Sequence, residues 1–164
     1  MAERTVTTKR GFILYDDALT SHADEEMFSP RHWERLAPLR GAVGGRGNTW
    51  IVAEGEQTWV LRHYRRGGLV AALMGDRYLW TGADHSRPFA EFRLLAEITR
   101  LELPGPVVVA ARYRRHGPFY SADLITRRIA DAQTLAECLA TGRLDGELAG
   151  QVGALVARFH RAGI

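Results

Sequence analysis

A glycine-rich turn, Gly44-Gly45-Arg46-Gly47-Asn48, stands between two strand-like stretches, Leu39–Val43 and Thr49–Ala53. Glycines at such a turn let the backbone approach a ligand closely and aim its N–H groups at phosphate oxygens. No Gly-Lys-Ser/Thr follows and no helix opens there, so the turn is not a Walker A loop; a strand comes next, so it is not a dinucleotide fingerprint either. Gly45, Gly47 and Val52 instead fall on the pattern G-x-G-x-x-G-x-V, with Trp50 at the third glycine. Gly45, Arg46, Gly47, Asn48 and Val52 are therefore candidate nucleotide-binding residues. Taken alone, the same glycines also suit an ordinary hairpin turn.

A phosphate site of this kind needs a cation on the third strand and a helix glutamate to orient it. Setting Val60-Leu61-Arg62 on that strand puts Arg62 at the cation position, and lysine cannot serve because the chain's single lysine, Lys9, lies upstream. Glu91 follows on a helix, spaced three, four and seven residues from Leu94, Leu95 and Ile98, on their inward stripe. A carboxylate there needs a buried partner, for which Arg62 is the obvious one; the alternative is a charge at the stripe's edge favoured by the helix dipole. Downstream, the backbone near Thr126 and Arg128 would meet an adenine edge, with Ile51, Val52 and Val60 as apolar covers. Any buried strand would read the same way.

The elements that must position these groups follow from periodicity. Phe12–Tyr15 is a short apolar stretch, an acidic loop follows, and Ser29-Pro30 caps a short helix through Trp33 and Leu36. This opening carries no visible chemistry. Glu54–Gln57 turns the chain into a third strand, Thr58–Tyr64, by alternation. Ser86-Arg87-Pro88 starts a helix to about Leu101, which Leu103-Pro104-Gly105-Pro106 breaks. Pro106–Tyr113 and Phe119–Ile129 form a second hairpin around Arg114–Pro118. Thr134 and Glu137 make a capping box for a short helix. A last helix, about Asp145–Ala162, carries Leu148, Val152, Leu155, Val156 and Phe159 on one stripe, with Gly163 as its C-cap. A β-rich half followed by an α-rich half implies an α+β fold of two lobes with a boundary near Thr126–Ala130.

Composition narrows the class. The 164 residues, 46% apolar and 25% charged, have an ordinary globular balance. No apolar run approaches the roughly 18 residues of a membrane span, and the polar opening lacks a secretory signal's apolar core. Cys138 is the single cysteine, which excludes an internal disulfide and suits a reducing, cytoplasmic setting. The formal net charge is +3, and all but one of the 22 basic residues are arginine. Arginine suits bidentate binding of phosphate and carboxylate. The clusters Arg62–Arg66, Arg112–His116 and Arg127–Arg128 read either as contacts for an acidic partner or as a solvated basic face.

Taken in order, several runs resemble the Kdo kinases (3-deoxy-D-manno-octulosonic acid kinases), within the lipopolysaccharide-kinase branch of the protein-kinase-like fold. They are Gly45-Arg-Gly-Asn-Thr-Trp; Val60-Leu-Arg-His-Tyr-Arg-Arg-Gly-Gly-Leu; Phe89-Ala-Glu-Phe-Arg-Leu-Leu; Leu103-Pro-Gly-Pro; and Tyr120-Ser-Ala-Asp-Leu-Ile-Thr-Arg-Arg-Ile. The resemblance covers about Gly44 to Ile164. It implies a protein-kinase-like fold: an amino-terminal nucleotide-binding lobe over residues 1–125 (1–38 a leading segment), a hinge over 126–130, and the start of a helical lobe over 131–164. It also implies ATP-dependent phosphorylation of a Kdo hydroxyl on Kdo-lipid A, or a related acidic glycolipid, peripherally on the cytoplasmic side of the inner membrane.

In that family a segment like Phe159–Gly163 leads into a catalytic loop H-x-D-L-N-x-x-N, whose aspartate accepts the substrate proton and whose second asparagine helps hold Mg²⁺. The resemblance therefore places catalytic and Mg²⁺-binding residues beyond Ile164, none in this chain, and implies that these residues alone are inactive. Asp123 lies on a strand and His160 near a helix end, and neither suits the role of base. The apolar face of helix 145–162 would be covered by a second copy or by rearrangement. Other readings are a kinase for another hydroxyl compound, a non-catalytic kinase-like module, and a basic nucleic-acid-binding domain. The scattered aromatics and the lack of a binding-module signature argue against nucleic acid.

Overall fold

The computed structural model describes residues 2–36, 40–41, 49–65 and 75–164. One antiparallel sheet organises them, with eight strands among the described residues: β1 (Glu3–Thr7), β2 (Gly11–Asp16), β3 (Arg40–Gly41), β4 (Thr49–Glu54), β5 (Gln57–His63), β6 (Tyr78–Leu79), β7 (Val108–His116) and β8 (Phe119–Arg127). The order across the sheet is β1-β2-β7-β8-β5-β4-β3, and β6 also pairs with the start of β8. The helices are α1 (Pro30–Leu36), α2 (Arg87–Arg100), α3 (Leu135–Ala140) and α4 (Gly146–Arg161). The α+β class follows directly.

The amino-terminal residues, read above as a preamble, build two strands of this sheet. β1 and β2 form a hairpin whose second strand runs antiparallel to β7. β1 is exposed along nearly its whole length, so as an edge strand it has polar residues and no apolar alternation to betray it. Gly11 is required at the start of β2 because a β-carbon there would lie 2.2 Å from the Tyr113 carbonyl oxygen. At the opposite side of the same pair, Gly117 turns β7 into β8 with φ +64°.

Strand alternation gives the sheet two differently covered faces. On one, α2 packs Phe89, Phe92, Leu95 and Ile98 against Leu14, Val108, Ala111, Tyr113 and Leu124. On the other, Trp33 of α1 and the residues before it (Met27, Phe28) cover Ile13, Val52, Trp59, Leu61 and Ile125. The Trp33 indole N–H donates to the Met27 carbonyl and fixes that cover. Leu94, assigned to the inward stripe of α2 by spacing, is exposed; Phe92 takes the inward position, completely buried.

The chain leaves the sheet after Arg127 donates to Val107 and Arg128 donates to the Thr58 carbonyl. The Thr134–Glu137 capping box forms as its spacing required. α4 begins at an Asp145 cap, and Phe159 and Ile164 near its end pack against the α2-side core. Arg158 donates to the Glu102 carbonyl at 2.7 Å. The middle of the stripe, Leu155 and Val156, remains exposed.

Candidate active site

β5 presents alternate residues to opposite faces, so Val60, Arg62 and Tyr64 point toward α2 while Leu61 and His63 point away. The register pairs Arg62 with Thr49 on one side and Leu124 on the other. Tyr64 continues the ladder one residue past β5 through an N–H bond to the Ala122 carbonyl. α2 crosses this face with Glu91 one turn in from its start. Arg62 Nη2 donates to Glu91 Oε1, closing an ion pair between residues 29 apart in the chain. The Tyr64 hydroxyl donates to Glu91 Oε2 at 2.5 Å. The Arg62 guanidinium lies over the Tyr64 ring, 4.9 Å from its centre.

Partial burial works against the Arg62 charge, yet the hydrogen bond and attraction from Glu91 outweigh it and raise its pKa. Burial, then the adjoining Glu91 carboxylate, pushes the Tyr64 phenol well above its ordinary range, so it remains a neutral donor. These groups open on a cavity of about 320 Å³, also lined by Thr49, His63, Arg65, Tyr78 and Arg87. Three arginines and a single acid, itself paired with Arg62, give this cavity a positive balance.

The other candidate residues divide. Thr126 lies opposite Val60 in the β5–β8 ladder, on Arg62's face. Arg128 lines a second cavity of about 320 Å³ with Glu56, Gln57, Thr58, Arg127 and Ala130. It stands about 13 Å along the sheet from Arg62, by the four residues that separate it from Leu124. Val52 requires a correction: it is 2% exposed and belongs to the cluster on the opposite face, across from Trp59. Ile51, paired with Val60, occupies the place assigned to it on Arg62's face. Gly45, Arg46, Gly47 and Asn48 lie outside the described residues.

Sequence reasoning missed a second charged constellation, centred on the opposite face and reaching the edge of the cavity through His63. Arg112, Asp123 and His63 are direct neighbours across β7, β8 and β5. Arg112 donates to Asp123 Oδ2 from Nε at 3.0 Å and Nη2 at 2.8 Å, and from Nη1 to the Glu25 carbonyl. His63 bonds Asp123 through Nδ1 and Asp76 through Nε2, each at 2.7 Å. The hydrogen bond to the Asp123 carboxylate, joined by Asp76 and opposed by burial, raises the His63 pKa. Burial opposes ionisation of Asp123, but His63 and Arg112 hold its pKa below the ordinary value. Arg112 is thereby withdrawn from the basic surface to which its cluster assigned it. Among the described residues, no group of three or more His, Cys, Asp or Glu side chains is placed to hold a metal.

The lipopolysaccharide kinase (Kdo/WaaP) family matches residues 31–164, which contain Arg62, Tyr64 and Glu91. The chain belongs to this family. Its curated relatives include proteins named 3-deoxy-D-manno-octulosonic acid kinase from Stenotrophomonas maltophilia, 44% identical over 94% of the chain, and from Xanthomonas axonopodis, also 44% identical over 94%. One of the same name from Vibrio vulnificus is 39% identical over 93%. The chain spans 61% of the length of the first two and 64% of the third. No solved structure matches it significantly. The family match starts within α1, so the β1–β2 hairpin lies outside it.

Proposed function

We propose that the chain is the nucleotide-binding lobe, hinge and first helices of a protein-kinase-like enzyme that transfers the terminal phosphoryl group of ATP to a Kdo hydroxyl on Kdo-lipid A. This is a step in the biosynthesis of the lipopolysaccharide core. The observation that carries the reading is the Arg62–Glu91 pair, in which one strand and one helix supply the cation and acid of a kinase phosphate site. Kinase membership of the family and the relatives' names support the reaction and the acceptor.

In this account Arg62 holds phosphate oxygens, Glu91 orients Arg62, and Gly45, Arg46, Gly47 and Asn48 are the further phosphate-binding residues. Ile51 and Val60 cover the base, whose edge meets the backbone between Thr126 and Arg128. ATP supplies the phosphoryl group. The described residues suit its phosphates, and among them no group of three or more His, Cys, Asp or Glu side chains is placed to hold Mg²⁺. The exposed arginines, Arg65 and Arg87 among them, would meet the acidic glycolipid at the cytoplasmic face of the inner membrane. Among the described residues, no helix is long and apolar enough to cross a membrane. The exposed middle of α4 is the surface through which two copies would associate.

The test supplies the full-length protein with ATP labelled at the terminal phosphate, Mg²⁺ and Kdo-lipid A. Label on the Kdo residue, lost on Arg62→Ala, is the expected result. Hydrolysis without transfer, or transfer to an unrelated hydroxyl compound in preference, would overturn the acceptor.

A further inference from the structure

We infer that Tyr64 is a positioning residue that makes an arginine workable at the phosphate-binding strand position; the inference rests on the nucleotide-site reading above. A lysine ammonium is a compact point charge that needs only to be near its partners. A guanidinium is a plane with donors fixed in that plane, so its usefulness depends on how the plane is oriented. An arginine in a lysine's place therefore needs a further support.

Tyr64 supplies that support from the same strand and the same face. Its ring lies beneath the Arg62 guanidinium, its hydroxyl oxygen accepts a long bond from Arg62 Nη2 at 3.4 Å, and its hydroxyl proton goes to Glu91 Oε2. Glu91 thus has one oxygen held by Arg62 and the other by Tyr64, which fixes the carboxylate against rotation. Among the described residues, the bonds from Arg62 to protein all leave from Nη2. Nη1 and Nε remain for a ligand in the cavity that Arg62, Tyr64 and Glu91 line together. The ring is itself anchored in the α2-side core at 8% exposure, so it is a fixed platform. The raised phenol pKa keeps the hydroxyl a donor throughout the working pH range.

The arrangement predicts an energetic coupling between residues 62 and 64 specific to arginine. In the full-length protein, Tyr64→Phe keeps the ring and removes the bond to Glu91. It should lower kcat/KM for Mg-ATP about tenfold, the scale of one hydrogen bond to a charged group. In an Arg62→Lys background the same change should cost about twofold or less, because an ammonium has no plane to hold. Tyr64→Leu, which also removes the platform, should cost more than Tyr64→Phe. The Mg-ATP-induced rise in melting temperature should follow the same order, while the melting temperature of Tyr64→Phe without nucleotide stays close to that of the parent. Equal losses in the arginine and lysine backgrounds would identify a merely structural tyrosine and overturn the inference, as would an unchanged Tyr64→Phe. A parent protein that neither binds nor uses ATP removes the underlying reading and this inference together; one whose ATP use depends on Arg62 but not on Tyr64 removes the inference alone.

Discussion

On the α2 side of the sheet, Arg62 and Glu91 keep 43% and 33% of their side-chain surfaces in solvent, whereas Arg112 and Asp123 on the other side keep 5% and 4%. Both pairs join an arginine to a carboxylate across secondary-structure elements, and both have a neighbouring aromatic ring under the guanidinium. They differ in what is left over. Arg112 uses all three nitrogens on Asp123 and the Glu25 carbonyl, and Asp123 is also bonded to His63. Neither Arg112 nor Asp123 keeps a group for a ligand, and the pair can only hold strands and the amino-terminal cover together. Arg62 engages the protein through one nitrogen and faces a cavity. Charge paired in a saturated, sealed network serves the fold, and charge paired incompletely at an opening is available for chemistry.

The largest effect should come from breaking the sealed set. Asp123→Ala strands the buried Arg112 charge and takes one partner from His63, and should lower unfolding stability by about 3–5 kcal/mol in urea titrations. A loss similar to that of an exposed pair would show that water reaches the network. Arg62→Ala makes the reverse case. The pair it removes is partly solvated, so its cost should be about 1 kcal/mol or less, while its effect on Mg-ATP binding should be near-complete. Equal stability losses for the two variants would erase the distinction between the faces.

The pH dependence sharpens the comparison further. The folded pKa of His63 is raised above its ordinary 6.5, so the stability it contributes is fully present below that value and is lost as pH rises through the folded pKa. The folded pKa of Asp123 is depressed below its ordinary 3.8, so its contribution is present above that value and is lost as pH falls through the folded pKa. Urea midpoints should therefore decline on the alkaline side of 6.5, and His63→Leu should flatten that decline without changing the acid limb in direction. An alkaline decline that persists unchanged in His63→Leu would assign it to another group. Smallest of all, Asp145→Ala removes the cap on Leu148 and should cost about 1 kcal/mol, visible as reduced helicity with ATP affinity unchanged.

Arg62 and Glu91 were legible because each signal is local: a cation closing an alternating strand, and an acid on the inward stripe of a capped helix. Their meeting needed only the two elements to pack. The Arg112–Asp123–His63 set was not legible in the same way, since its members are 11 and 60 residues apart and become neighbours only once three strands are in register. The arginine run therefore read as surface. Tyr64 was within reach of the alternation that found Arg62, two residues earlier on the same face. Val52 was misplaced by one residue because the glycine pattern fixes loop spacing but not the β4–β5 register, which sets Val52 against Trp59. The first strand escaped because an exposed edge needs no apolar pattern.

The most direct test of the claim that the open face is the nucleotide site is a calorimetric titration of the full-length protein with Mg-ATP, run beside Arg62→Ala and Asp145→Ala. Saturable binding in the parent and in Asp145→Ala, abolished in Arg62→Ala, is the predicted result. Binding that survives Arg62→Ala, or that is lost with Asp145→Ala in a folded protein, would contradict it.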